Sequence, residues 1–238
     1  METRPSAGEG ENRGDFRAFL EKALGPVFSR RMLVPAILLT LLLTGSNIVI
    51  LRNIPDPGAM PPWQFVAAAL ARIGGLLVIG VAILRILTAS RRRPWRPDGA
   101  FWLMGLTILA GLVIGVLTGK LLGERTDPAG MLIHNILLTI LLAPFAAWVS
   151  AIAVEKPLAW RPRPWLRAFR RWLPHLIFWS LLLVTPVAVL HGSLDSWLLR
   201  GAGDWFWPVA LIDGPLSVVI AILGFSLNAA AYGRVARA

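Results

Sequence analysis

The chain contains no cysteine, which removes disulfide scaffolds, thiol nucleophiles, iron–sulfur clusters and cysteine-ligated zinc from consideration. Charge is scarce as well: Asp, Glu, Lys and Arg make up 16% of the 238 residues, while 56% are apolar and the mean hydropathy is +0.65. That balance excludes a water-soluble globular protein. Catalytic signatures are missing too, since HExxH, GxSxG and the phosphate-binding P-loop do not occur. The three histidines are too scattered to fix a metal by spacing, and His191 with Asp195 is the nearest thing to a ligand pair. The sequence therefore predicts no catalytic residue, no cofactor, no metal and a non-enzymatic protein.

What the chain has instead is long apolar runs. A membrane span needs roughly 20 apolar residues, and runs of that size occupy residues 32–51, 64–90, 100–122, 129–154, 172–190 and 207–232. Segments such as ILLTLLLTG and LVIGVAILRIL are apolar at successive positions, which fits helices and not the alternating strands of a barrel. The expected fold is an all-α integral membrane bundle of six transmembrane helices with cytoplasmic interfacial amphipathic helices. Pro35, Pro144, Pro186 and Pro215 fall inside the spans and are expected as kinks.

Charge sets the direction. The amino-terminal segment, the second and fourth links and the tail hold 18 of the 24 Lys and Arg, and the other three links hold four. The positive-inside rule then puts both termini in the cytoplasm of a multi-pass inner-membrane protein. The net charge of +11 follows from this topology, and it points to anionic lipid headgroups as partners and away from nucleic acid.

Between and before the spans, residues 1–14 are polar and Gly-rich and are expected to be a disordered tail. In residues 15–31, Phe16, Phe19, Leu20, Leu24, Val27 and Phe28 recur at helical spacing, which predicts an interfacial helix. SRRMLV within it resembles a twin-arginine signal, but no small-residue cleavage site follows, so the first span is read as retained. A second interfacial helix is expected ahead of the fifth span, where Trp165, Phe169 and Trp172 share a face ringed by Arg167, Arg170 and Arg171. These six are candidate contacts for lipid or a partner protein. On the opposite side, SLDSWLLRG predicts a short helix capped by Ser193 and stopped by Gly201. Residues 233–238 form a short tail.

Within the bundle, Gly111, Gly115 and Gly119 form a doubled small-xxx-small stripe, expected to pack helices closely within one chain or in a homo-oligomer. Ala71 with Gly75, Ala146 with Ser150 and Ala147 with Ala151 repeat the pattern once each. Charges at membrane depth are the most informative, because each costs about 2.5–3.5 kcal/mol at a helix centre. Arg85 lies near a span end and is expected to snorkel to the surface. Arg72 sits about 13 Å past Trp63 and Asp213 about 9 Å past Trp207, so the two are expected to pair between the second and sixth spans. Asp213, Ser217, Gly224 and Asn228 share one stripe of the last helix. With Asn47, Arg72, His134, Asn135 and His191, the polar members define an expected outer-half cluster. It is a vestibule or pocket on one reading and a set of interhelical hydrogen bonds on the other.

Two stretches resemble the six-span family typified by the glycerophosphodiester phosphodiesterase membrane domain and its YciC-like relatives. RPWLRAFRRWLPHLIFWSLLL, residues 163–183, is similar to that family's amphipathic link running into the fifth span. SLNAAAYGRVARA resembles its small-residue last helix closing with Tyr and Arg, here Tyr232 and Arg234. The resemblance implies a membrane domain without catalytic residues of its own, and no hydrolase activity. A repeated ILLT-x-LL in the first and fourth spans would also fit inverted halves. The expected role is a structural, partner-binding or lipid-engaging membrane component. A small transporter or channel subunit built around Arg72 and Asp213 is the alternative.

Overall fold

A computed structural model describes residues 7–55, 59–122, 127–155 and 159–236. It is 87% helical, with no strand among the described residues. Among the described residues ten α-helices follow in order: α1 (Ala7–Leu24), α2 (Leu33–Arg52), α3 (Trp63–Leu87), α4 (Gly99–Leu122), α5 (Pro128–Leu142), α6 (Ala146–Val154), α7 (Pro162–Phe169), α8 (Leu173–Trp179), α9 (Thr185–Leu199) and α10 (Phe206–Val235). They make six helical stretches long and apolar enough to cross a membrane: Arg30–Arg52, Trp63–Leu87, Gly99–Leu121, Pro128–Val154, Pro162–Leu199 and Gly203–Val235. This is a multi-pass, all-α membrane protein.

Proline explains where two spans are broken. Pro144 has no N–H for the helical ladder and its ring crowds the preceding turn, so α5 and α6 are separated by a 3-10 turn at Ala143–Phe145. Ahead of Pro186 the chain widens into a π-turn at Ser180–Val184, where the Thr185 N–H donates to the Ser180 carbonyl. The other two prolines break nothing: Pro35 lies in the first turn of α2, and α10 runs through Pro215 without interruption. Nor is Ser193 a cap. The helix expected to begin there is the end of α9, and its hydroxyl donates to the Val189 carbonyl within it. Gly201 does stop the chain's helical course, at φ +91.

Both described terminal segments meet at one end of the bundle. Lys22 Nζ donates to the Gly233 carbonyl at 2.6 Å, and Arg92 Nε from the second link donates to the Val154 carbonyl at 3.3 Å. This is the basic end. The helix α1 begins at Ala7, well inside the stretch expected to be disordered, and residues 1–6 lie outside the described residues. Its Phe19 and Ala23 are buried with Leu176, Leu227 and Ala231, so α1 docks on the bundle instead of lying free at an interface. That docking supplies the packing that lets the polar upstream turns stay helical. The expected segment 15–31 also divides, with 3-10 turns at Gly25–Phe28 and Arg30–Met32 after α1.

Arg85 does not snorkel. Its side chain is buried and knits the second link to α6: Nε donates to the Ala153 carbonyl at 2.9 Å, Nη1 to the Arg96 carbonyl at 2.8 Å, and Nη2 to Asp98 at 2.7 Å. Arg92 holds the other Asp98 oxygen at 2.6 Å, and Asp98 in turn caps α4 by accepting from the Phe101 N–H. A guanidinium with five donors can satisfy several buried carbonyls at once, which a surface-seeking arginine would leave orphaned.

The glycine stripe of α4 is not where helices press together. Among the described residues nothing lies within 4 Å of a Cβ built at Gly111 or Gly115, and at Gly119 only His134 comes near, at 3.8 Å. Close approach occurs elsewhere, on α6, where Ala146, Ala147, Ser150 and Ala151 are buried, and at Gly214 of α10, where an added Cβ would meet the Thr44 backbone of α2 at 2.8 Å. Gly214→Ala is therefore expected to push α2 and α10 apart and cost about 1–3 kcal/mol. Gly111→Ala gains helix propensity without a clash. In thermal unfolding in detergent the first variant should melt earlier than wild type, and the second no earlier.

Candidate functional site

Near the end opposite the basic one, four helices converge on a charged cluster. The tight crossing at Gly214 brings Asp213 of α10 beside Asn47 of α2, and Asn47 Nδ2 donates to Asp213 Oδ2 at 2.7 Å. On α9, His191 and Asp195 stand one turn apart, at i and i+4, and so share a face. His191 Nδ1 lies 2.6 Å from Asp213 Oδ1, and Nε2 lies 3.5 Å from Asp195 Oδ2 and 3.3 Å from the Ser217 hydroxyl. Asn47 Nδ2 also reaches Asp195 at 3.2 Å. From α3, Arg72 Nη1 donates to Asn47 Oδ1 at 3.1 Å.

Arg72 and Asp213 thus belong to one network, but not as the direct pair expected. Asn47 stands between them, accepting from the guanidinium through its oxygen and donating to both carboxylates through its nitrogen. An amide is suited to that relay because it offers both roles at one end of a short side chain. Asp213 is fully buried, whereas His191 and Asp195 are partly exposed.

The expected cluster divides. Asn47, Arg72, His191, Asp213 and Ser217 come together. His134 faces Gly119 of α4, and Asn135 and Asn228 line a separate cavity nearer the middle of the bundle. Rise along the helix explains the separation: the stripe on α10 is continuous, but Gly224 and Asn228 lie about 10 Å or more further along it than Ser217. Asp195 is the member left out of the expected cluster. The sequence pairs it with His191 as the nearest thing to a ligand pair but places it in a link, because the apolar run ends before it and the helix does not. Of the proposed interfacial contacts, Phe169 is buried in the core and Trp165 stacks on Tyr232, while Arg167, Arg170 and Arg171 are exposed with Trp172 half-buried beside them.

His191, Asp195 and Asp213 bring their ligating atoms within 4.8 Å of one another, so the set invites a metal reading. Distance argues for a proton instead. Two ligands each about 2.0–2.1 Å from a tetrahedral metal sit about 3.3 Å apart, whereas Nδ1 and Asp213 Oδ1 are at 2.6 Å, the separation of a charge-assisted hydrogen bond. Each ring nitrogen faces a carboxylate oxygen: a doubly protonated imidazolium donates to both, whereas a neutral ring protonated at Nδ1 donates to Asp213 and accepts from the Ser217 hydroxyl at Nε2. Two carboxylates face one guanidinium, so uptake of one proton by the ring brings the set to charge neutrality.

Comparisons with protein-family models, curated proteins and solved structures give no match to this chain.

Proposed function

We propose that the protein is a small transporter or channel subunit of the inner membrane, with both termini cytoplasmic, whose outer-half cluster loads and releases one proton at His191. The observation that carries this reading is the placement of His191 between Asp213 and Asp195 at membrane depth. Ionisable side chains there are costly, and helices can be joined by amides and hydroxyls alone. The reading is non-enzymatic, because the cluster moves a proton and makes or breaks no other bond. The exposed Arg167, Arg170 and Arg171 at the basic end would hold that face against anionic headgroups.

A structural role has its own support, since the same network ties α2, α3, α9 and α10 together. Vesicles separate the two. Purified protein is reconstituted with a trapped pH-sensitive dye, and a potassium diffusion potential drives protons. Wild type should acidify the lumen faster than protein-free vesicles, and His191→Gln, incorporated in equal amount, should fall at least about tenfold, as loss of the transferable proton at one obligatory site requires. Equal rates in the two proteins, or none above background, would leave the cluster as a fastening only.

A further inference from the structure

The two broken spans come apart at the same level. The 3-10 turn at Ala143–Phe145 and the π-turn at Ser180–Val184 both border a cavity of about 300 Å³ that α4, α5, α6, α8 and α10 complete. About 10 Å of α10 separate Asn228 in its wall from the basic end, and about 16 Å of α5 separate Thr139 from the opposite end. The cavity is therefore deep in the hydrocarbon layer, where irregular backbone is tolerated only if it lines a space within protein.

Its polar groups are the unusual feature. Thr40, Thr88 and Thr118 elsewhere in the bundle donate to the carbonyl one turn back. Thr139 and Ser180 do not, and their hydroxyls, like the Asn228 amide, have no hydrogen-bond partner among the described residues. Asn135 uses its nitrogen on the Met131 carbonyl and leaves its oxygen to the cavity. Such groups in an apolar medium cost several kcal/mol unless an occupant satisfies them. Among the described residues no charged one lines the cavity, most of its wall is aliphatic, and Phe145 on that wall is 38% exposed at the bundle surface.

We infer that this cavity binds an uncharged amphiphile, with a hydroxyl or carbonyl head set among Asn135, Thr139, Ser180 and Asn228, entering from the lipid phase. The absence of any cation in the wall selects against anionic heads, and the aliphatic wall favours a lipid-like body over a column of water. The site is distinct from the His191 cluster and does not depend on that cluster carrying protons.

The test uses full-length protein in lipid nanodiscs and a long-chain primary alcohol carrying a diazirine beside its hydroxyl. Photolabelling should saturate and map by mass spectrometry to α5, the π-turn and residues 224–228. Unlabelled diacylglycerol should compete, and palmitate at a pH where it is ionised should not. Gly111→Leu projects into the cavity from a position where an added Cβ meets nothing within 4 Å, and should lower labelling at least about tenfold, equivalent to about 1.4 kcal/mol of binding. Asn228→Leu should do the same, and Ser180→Ala, too small a change to threaten folding, should lower it about threefold by removing one hydrogen bond. Labelling that does not saturate, that palmitate suppresses equally, or that survives Gly111→Leu and Ser180→Ala overturns the inference in favour of a water-filled or empty space.

Discussion

Arg85→Met is expected to cost about 3–5 kcal/mol of stability, the range for removing one partner from a buried, hydrogen-bonded ion pair. The methionine fills the space but leaves the Ala153, Arg93 and Arg96 carbonyls without their donor and Asp98 with one arginine instead of two. Thermal unfolding in detergent should show it as a large fall in Tm. The same lock has a pH signature. Burial works against the Asp98 charge, but the hydrogen bonds from Arg92 and Arg85 outweigh it and hold this carboxyl below the ordinary carboxylate range. A depressed carboxylate stabilises the folded state fully above its unfolded value of about 4, and that stabilisation is lost as pH falls through the lower folded value. Wild type should therefore lose Tm below about pH 4 more steeply than Asp98→Asn, whose side chain does not titrate there.

The second large effect falls on Asp213, where two substitutions should part company. Asp213→Leu strips His191 and Asn47 of their shared acceptor while Arg72 keeps its charge, and should cost about 3–5 kcal/mol, enough to abolish accumulation in the membrane. Asp213→Asn keeps an oxygen for one donor and a closely similar volume, so the bundle should accumulate and elute as wild type does. It removes the charge that balances a protonated His191, so proton flux in vesicles should fall by about tenfold or more. If Asp213→Asn carries full flux, the charge at this position does not serve conduction.

The fold was legible because hydrocarbon imposes a simple code: six apolar runs of spanning length can only be helices. Local details were less so. A run of hydropathy says where side chains are apolar, not where the helix ends, which is why α9 carries Asp195 into the bundle and why α1 extends upstream of its apolar face. The burial of Arg85 is not legible because the sequence shows its distance from a span end, but not the link and α6 carbonyls that close over it. The glycines of α4 match a packing motif, and only the neighbouring backbones reveal that Gly214 makes the tight crossing. Asn47, Arg72, His191, Asp213 and Ser217 could be picked out by their rarity at that depth, whereas the relay through Asn47 depends on rotamers that no spacing encodes.

Nitrogen NMR of the histidine-labelled protein reads the state of the cluster most directly, with the His191 resonance assigned as the one lost in His191→Gln. The account predicts an imidazolium with protons on both nitrogens, its Nδ1–H strongly hydrogen-bonded, whose population at a given pH changes when Asp213 becomes Asn. A His191 ring that keeps a single neutral tautomer between about pH 5 and 8, identical in wild type and Asp213→Asn, would contradict it.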